Sequence, residues 1–411
     1  EMEELWKNNL QEHEQICGSL YSKYGILVNE YETAALSKHQ LRPPKPGAKE
    51  STLRLYEERK KARELKYKFN FASSKQVLWL LKDKLNFPCR NIDNKISTGK
   101  EVLEFYKGQH PIIEDLLTLR KNEHDSSSFF QNWHDYNRNG RLHPSYRMDT
   151  ARTFRLSCTE PALQQVKRDS SMRQLFTPSK GKELAVVDYA LIEPRIIAHY
   201  SEDPVLMEIF HTGMDLYHVV ACNIMGYTGS KEDLKTKDKE IRHIAKEVAL
   251  SSFYGIGPDK LAYRIRLRTG LPILASEAQS YLSKYFDLLR GVKAFRQGLA
   301  AYLQVVPEVV TPLGRHLFFK PQEYNHLAFN KIMQCTGSDI NLYSQIDLDR
   351  CFKECKIDAR CIHLVHDEAL FEYDPKQKTQ VLEAIKYYMA DRYTQKPFNF
   401  KVPIKIEIKT G

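Results

Sequence analysis

The sequence has 411 residues, with 62 lysines and arginines against 52 acidic residues and a formal net charge of +10; 42% of residues are hydrophobic and 28% charged. The length allows two or three modules with a sizeable core. The composition excludes a disordered chain, and the basic surplus suits a polyanionic partner without requiring one. No run of 18 apolar residues occurs, so no helical membrane span is expected. The polar start EMEELWKNNLQEHEQ is neither a signal nor a basic transit peptide. Position 1 is Glu rather than Met, so the sequence reads as a piece of a longer chain. Its eight scattered cysteines suit a reducing, intracellular compartment.

Residues 1–40 are predicted as one or two helices, broken at 41–48 by three prolines and a glycine. A further helix follows over 51–68. Residues 42–68 hold ten basic and four acidic side chains, Lys60 and Lys61 among them. This stretch reads either as a solvated helical face or as a helix-loop-helix tip that grips a phosphate backbone. Ser73 with Gln76, and Thr98 with Glu101, have the spacing of capping boxes before helices. Asn139-Gly140 between strand-like flanks predicts a hairpin. Beyond it strands and helices alternate to the C-terminus, so the second half is α/β in character.

Three later segments carry chemistry. Residues 183–189, ELAVVDY, predict a buried strand closed by Asp188. A carboxylate there is costly unless it binds something or finds partners; a helix cap is an equal reading. Residues 242–255, RHIAKEVALSSFYG, space Arg242, Lys246, Leu250 and Tyr254 four apart, one slowly drifting stripe on a helix. Two cations followed by an apolar and an aromatic residue suit a nucleoside triphosphate lying along the helix; a surface helix with a packed tyrosine gives the same pattern. Residues 359–373, ARCIHLVHDEALFEY, predict a strand, a tight turn carrying His366, Asp367 and Glu368, and a second strand; an ordinary solvated hairpin turn is an equal reading of this segment alone. If these strands neighbour the first, Asp188 and Asp367 lie side by side and can bridge two magnesium ions, for which manganese can substitute. Cys351, Cys355, Cys361, His363 and His366 lack zinc-site spacing and read as residues of a helix and a strand.

Together these segments resemble the DNA polymerase I (family A) polymerases. The resemblance rests on Asp188-Tyr189-Ala190-Leu191-Ile192-Glu193-Pro194-Arg195 (family D-Y-S-Q-I-E-L-R), on Arg242, Lys246, Tyr254 and Gly255 (R-x3-K-x7-Y-G), and on Val365-His366-Asp367-Glu368 (V-H-D-E). It extends to residues 153–161 (T-G-R-L-S-S-T-D-P), 140–146 (G-R-V-H-T-S-Y) and 69–76 (F-N-L-N-S-P-K-Q), and to Asn330 with residues 333–336 (N-A-P-M-Q-G-T), all in the family's order. It implies a right-hand fold of mixed α/β (α+β) class, with an antiparallel-sheet palm and helical fingers and thumb. The thumb would span residues 1–136, the palm 137–207 and 310–411, and the fingers 208–309. It implies a monomeric DNA polymerase acting on primer-template DNA and dNTPs with two magnesium ions, a polymerase domain that does not include the family's proofreading exonuclease.

By the same resemblance Asp188, Asp367 and the Tyr189 backbone would ligate metal, with Glu368 beside them. Arg242, Lys246 and Tyr217 would hold the triphosphate, Lys246 also serving catalysis. Tyr254 would meet the templating base and Glu193 would exclude a ribose 2′-hydroxyl. Arg155, Gln334, Asn330 and His366 would contact the primer end, and Lys60 and Lys61 the duplex. The chain departs from the family at Leu250, where an aromatic residue usually contacts the sugar, and at Tyr217, Leu191, Phe154 and His326, where histidine, glutamine, glycine and arginine are usual. A single-subunit RNA polymerase is disfavoured by Glu193 and by glutamate after Asp367. An inactive polymerase-like binding module is disfavoured by retention of Asp188 and Asp367.

Overall fold

The computed structural model describes residues 2–38, 41–47, 49–166 and 171–411. The ends of the two predicted N-terminal segments, residues 1, 39, 40 and 48, lie outside them. The chain divides into two compact units, Glu1–Asp135 and Tyr136–Gly411. No helix among the described residues is long and apolar enough to cross a membrane.

The first unit is helical: α1 (Met2–Lys38), α2 (Glu50–Tyr67), α3 (Ser74–Trp79), α4 (Lys100–Phe105), α5 (Pro111–Asp125) and the start of α6 (Asn132–Tyr136). Leu20, Tyr24 and Val28 of α1 recur at helical spacing and meet Ile112, Leu116 and Leu119 of α5 in the core. The Tyr24 hydroxyl donates to Asp115 at 2.9 Å at the rim of this contact. By contrast α2 has no buried residue, and Lys60 and Lys61 are exposed. Neither predicted capping box forms. Gln76 does reach back, but to the Asn70 N–H at 2.7 Å, and Ser73 makes no side-chain cap. Thr98 is held by Arg120, so α4 starts after Gly99.

The second unit opens with two short hairpins, β1 (Asn137–Arg138) with β2 (Arg141–Leu142) and β3 (Ser145–Arg147) with β4 (Ser157–Thr159). Asn139 and Gly140 both take positive φ, 53° and 77°, as the predicted tight turn requires. Then β5 (Glu183–Tyr189) leads into nine consecutive elements: α7 (Ile192–Ser201), α8 (Pro204–Thr212), α9 (Leu216–Met225), α10 (Lys231–Thr236), α11 (Lys239–Phe253), α12 (Pro258–Thr269), α13 (Ala275–Leu288), α14 (Arg290–Val305) and the strand β6 (Glu308–Val310). The chain closes with β7 (His316–Phe318), α15 (His326–Glu354), β8 (Ala359–Val365), β9 (Glu368–Tyr373), α16 (Lys378–Met389) and β10 (Ile406–Thr410). The main sheet has the order β10-β5-β9-β8, all antiparallel. Ala185, Val187 and Tyr189 alternate onto its buried face, and α15 packs against α7, α16 and β8 behind it.

One buried acid organises the helices that follow the sheet. Asp203 is fully buried; its Oδ1 accepts from the N–H groups of Val205 and Leu206, and its Oδ2 from those of Gly291 and Val292. A single side chain thus caps the N-termini of α8 and α14. Gly291 has no room for a side chain, because a Cβ would lie 2.7 Å from the Asp203 Cα. Asp203→Ala strands four donors, those of Leu206 and Val292 buried and those of Val205 and Gly291 half-buried, so we expect a loss of about 3 kcal/mol in a denaturant titration. An unchanged midpoint would show that this cap is dispensable.

Candidate active site

The end of β5 and the turn between β8 and β9 meet at one end of the sheet. Asp188 lies across from Glu368 on β9 and from Glu407 on β10. The Tyr189 N–H donates to the Asp367 carbonyl at 3.1 Å, fixing the turn against β5. Asn341 of α15 donates to the His366 carbonyl at 2.9 Å and steadies the turn from behind. His366 takes φ 52°, Leu191 just past β5 takes 56°, and Phe154 takes 56°. Left-handed backbone at non-glycine residues is costly, and His366 and Leu191 adopt it in the segments that adjoin the two acids. At Phe154, where the family has glycine, the conformation is one that glycine adopts freely.

The acids repel one another. Burial raises the pKa of Asp367 above the ordinary carboxylate range and the charge of Asp188 adds to the rise, while Arg155 and His366 oppose it. Burial likewise raises Glu193, and Asp367 contributes. Arg155 offsets part of this by an ion pair to Glu193 at 2.6 Å. Arg155 is set by its neighbours: Ser338 donates to the Phe154 carbonyl at 2.6 Å, and Arg315 stacks over the Phe154 ring at 4.3 Å. Arg315 is itself tied to buried Asp339 through Nε at 2.7 Å and Nη2 at 2.6 Å. On the other flank Arg195 is buried and donates to the carbonyls of Ala190 at 2.9 Å and Pro403 at 2.6 Å, securing the turn after Asp188. Arg195 closes the motif quoted for residues 188–195, whereas nothing in the sequence marks Arg315, Asp339 or Glu407 for these places, because their partners are remote in the chain.

The predicted stripe on α11 is its accessible face. Arg242, Lys246, Leu250 and Tyr254 are half-buried, whereas Ile244, Ala245, Val248, Ala249 and Phe253 are buried. Arg242 meets Asp215, the cap of α9, at 3.0 Å and lies over the Tyr217 ring at 5.1 Å. Tyr217 is pushed up to about 12 by burial. Asn330 of α15 donates to the Tyr254 carbonyl at 3.5 Å, and half-buried Gln334 follows one turn later. Glu368 accepts from Arg173 at 3.2 Å. The cysteine and histidine residues scatter: Cys355 is exposed at the end of α15, and His363 on β8 bonds Tyr146 through Nδ1. Among the described residues no group of three or more His, Cys, Asp and Glu is arranged to hold a metal.

Asp188 and Asp367 are hard oxygen donors on adjoining elements whose mutual repulsion a divalent cation would relieve, so the pair fits magnesium or manganese.

The family model for DNA polymerase family A matches residues 47–411. The chain is 29% identical over 347 residues to DNA polymerase I of Aquifex aeolicus (84% of this chain, 58% of that one). It is 28% identical over 362 residues to DNA polymerase I of Borreliella burgdorferi (84% and 38%). It therefore spans less than two thirds of the length of these relatives. Among solved structures it resembles the POL domain of Pol1 from M. smegmatis, a complex with DNA primer-template and dNTP. The TM-score is 0.73 and the identity 24%, over 100% of this chain and 70% of that one. That likeness gives the fold, a right-hand polymerase domain with an antiparallel palm sheet. With the family match covering residues 47–411, this chain belongs to DNA polymerase family A.

Proposed function

We propose that this chain is a template-directed DNA polymerase that adds deoxynucleotides to the 3′ end of a primer. The observation that carries the reading is the meeting of Asp188 and Asp367 at one end of the antiparallel sheet, in a chain of this family. Asp188, Asp367 and the Tyr189 carbonyl would hold two magnesium ions, or manganese in their place. When bound, these would lower the pKa of the primer hydroxyl and stabilise the leaving pyrophosphate. Glu368 stands beside them, steadied by Arg173.

Arg242 and Lys246 would bind the triphosphate, with Lys246 placed to neutralise charge as pyrophosphate departs. Tyr217 would support Arg242, which already lies over its ring. Leu250 would meet the sugar, Tyr254 the templating base, and Glu193 would fill the space of a 2′-hydroxyl. Arg155, Asn330, Gln334 and His366 would contact the primer end. Residues 1–136 are read as the thumb, 137–207 and 310–411 as the palm, and 208–309 as the fingers. The antiparallel sheet supports the palm assignment, and the nine elements after β5 contain the helix expected to meet the nucleotide.

The exposed basic helix α2 would grip duplex backbone without sequence preference, Lys60 and Lys61 included. Changing Lys60, Lys61 and Arg59 to Ala should weaken primer-template binding and reduce its salt dependence by about one unit of slope per lost phosphate contact. Anisotropy titrations across a salt series check this; an unchanged slope would return α2 to a solvated face. The polymerase reading is tested by chelation: extension should stop in EDTA and return with magnesium, and extension that persists in EDTA would contradict it.

A further inference from the structure

The nucleotide reading of α11 uses its accessible stripe and leaves an acid on its buried side unexplained. Glu247 follows Lys246 directly, and its side chain is only 4% exposed. Both oxygens are held from α12: Oε1 by Arg268 Nε at 2.7 Å and Oε2 by Arg264 Nε at 3.1 Å. Ser251, one turn further along α11, donates to Oε2 at 3.4 Å. A buried carboxylate is costly unless each oxygen is paired and hydrogen-bonded, and here each has its own guanidinium. Arg264 and Arg268 are four apart and so rise from one face of α12.

The two helices are joined by residues 254–257. At Gly255, φ is 71°, and a Cβ would lie 2.9 Å from His326 Cβ and 3.1 Å from Arg296 Nη2. The tip of the helix pair is therefore fixed. Glu247 is eight residues from that tip, about 12 Å along the axis, where a tie between helices controls their angle far more than one at the turn. Arg242 and Lys246 are on the segment that this angle directs. At its far end Arg242 already engages Asp215 at 3.0 Å.

We propose that Glu247 is a positioning residue for the incoming nucleotide: by clamping α11 to α12 through Arg264 and Arg268, it aims Arg242 and Lys246 at the triphosphate. This rests on the reading of α11 as the nucleotide helix. The clamp acts through geometry, so its loss should weaken nucleotide binding more than the maximal rate or the grip on DNA.

The test is single-turnover incorporation of one complementary dNTP by the full chain, with melting temperature and primer-template affinity measured alongside. Two variants are compared with the parent. Glu247→Gln removes the charge alone. The triple change Glu247→Met, Arg264→Gln, Arg268→Gln removes the whole ionic cluster at once, which avoids stranding a buried charge and keeps the fold testable if the single variant unfolds. Both should raise the dNTP dissociation constant about ten-fold, with the maximal rate changed by about two-fold or less and primer-template affinity unchanged. A lower melting temperature with an unchanged dNTP dissociation constant would overturn the proposal and leave Glu247 a purely structural residue. Arg242→Ala and Lys246→Ala are run in parallel. If they too leave dNTP binding unchanged, the nucleotide-helix reading fails first. If they weaken it while the Glu247 variants do not, the clamp alone fails.

Discussion

Asp367→Asn should reduce primer extension by about 10³-fold or more, a barrier increase of about 4 kcal/mol, while primer-template binding survives. Asparagine keeps the size of the side chain and the backbone hydrogen bond from Tyr189, so the turn between β8 and β9 has no reason to collapse. What is lost is one of two charged oxygen donors, and the neighbouring acids Glu368 and Glu193 are already engaged by Arg173 and Arg155. The same substitution should stabilise the protein in metal-free solution. Burial raises the folded-state pKa of Asp367, and Asp188 raises it further. A carboxyl raised in this way favours folding at low pH, where it is protonated, and that contribution disappears as pH rises through the folded value. In EDTA at about pH 7 the ionised parent side chain opposes folding, so Asp367→Asn should melt higher, and the gap should narrow on moving to about pH 4. Near-normal extension by the variant would remove Asp367 from the metal site. A melting temperature that falls at neutral pH would contradict the electrostatic account.

Glu193→Ala should lower the preference for dNTP over NTP by about 100-fold, or about 2.7 kcal/mol, measured as the ratio of kcat/KM values. Glu193 is read as excluding a 2′-hydroxyl by bulk, and discrimination through a clash can exceed what attractive contacts supply. Its carboxylate is held by Arg155 at 2.6 Å, which keeps the side chain in one place. Glu193→Gln separates bulk from charge: it keeps most of the volume and should keep most of the selectivity. Leu250 lies four residues before Tyr254 on the same stripe, where an aromatic ring would be broader and stiffer. Leu250→Phe and Leu250→Tyr should therefore change the use of dideoxynucleotides, leaving the 2′ position to Glu193. An unchanged dNTP/NTP ratio in Glu193→Ala would place the gate elsewhere, and an unchanged dNTP/ddNTP ratio in the Leu250 variants would separate the stripe from the sugar.

The elements that position these residues were legible where the signal is local. The apolar run before Asp188, the apolar flanks of His366-Asp367-Glu368 and the four-residue spacing from Arg242 to Tyr254 each follow the period of the element that forms. Asn139-Gly140 was legible because a two-residue turn needs positive φ at both places. The capping boxes misled because other partners compete: Arg120, remote in the chain, takes Thr98, and Gln76 accepts from the nearby Asn70 N–H instead of that of Ser73. The supporting acids were not legible at all. Asp203, Glu247 and Asp339 look like surface residues in a sequence, since Asp and Glu are rarely fully buried, and what licenses their burial comes from α14, from α12 and from Arg315. Local period thus located the elements that carry the proposed site residues, whereas the ties that orient those elements depend on contacts that only folding creates.

The most direct test of the central claim is single-nucleotide primer extension on four templates that differ only in the first unpaired base, with each dNTP offered alone in the presence of magnesium. The account predicts incorporation of the complementary dNTP on each template, little incorporation of the other three, and none by Asp188→Asn. Addition that ignores the template base, or none by the parent with any dNTP, would contradict it.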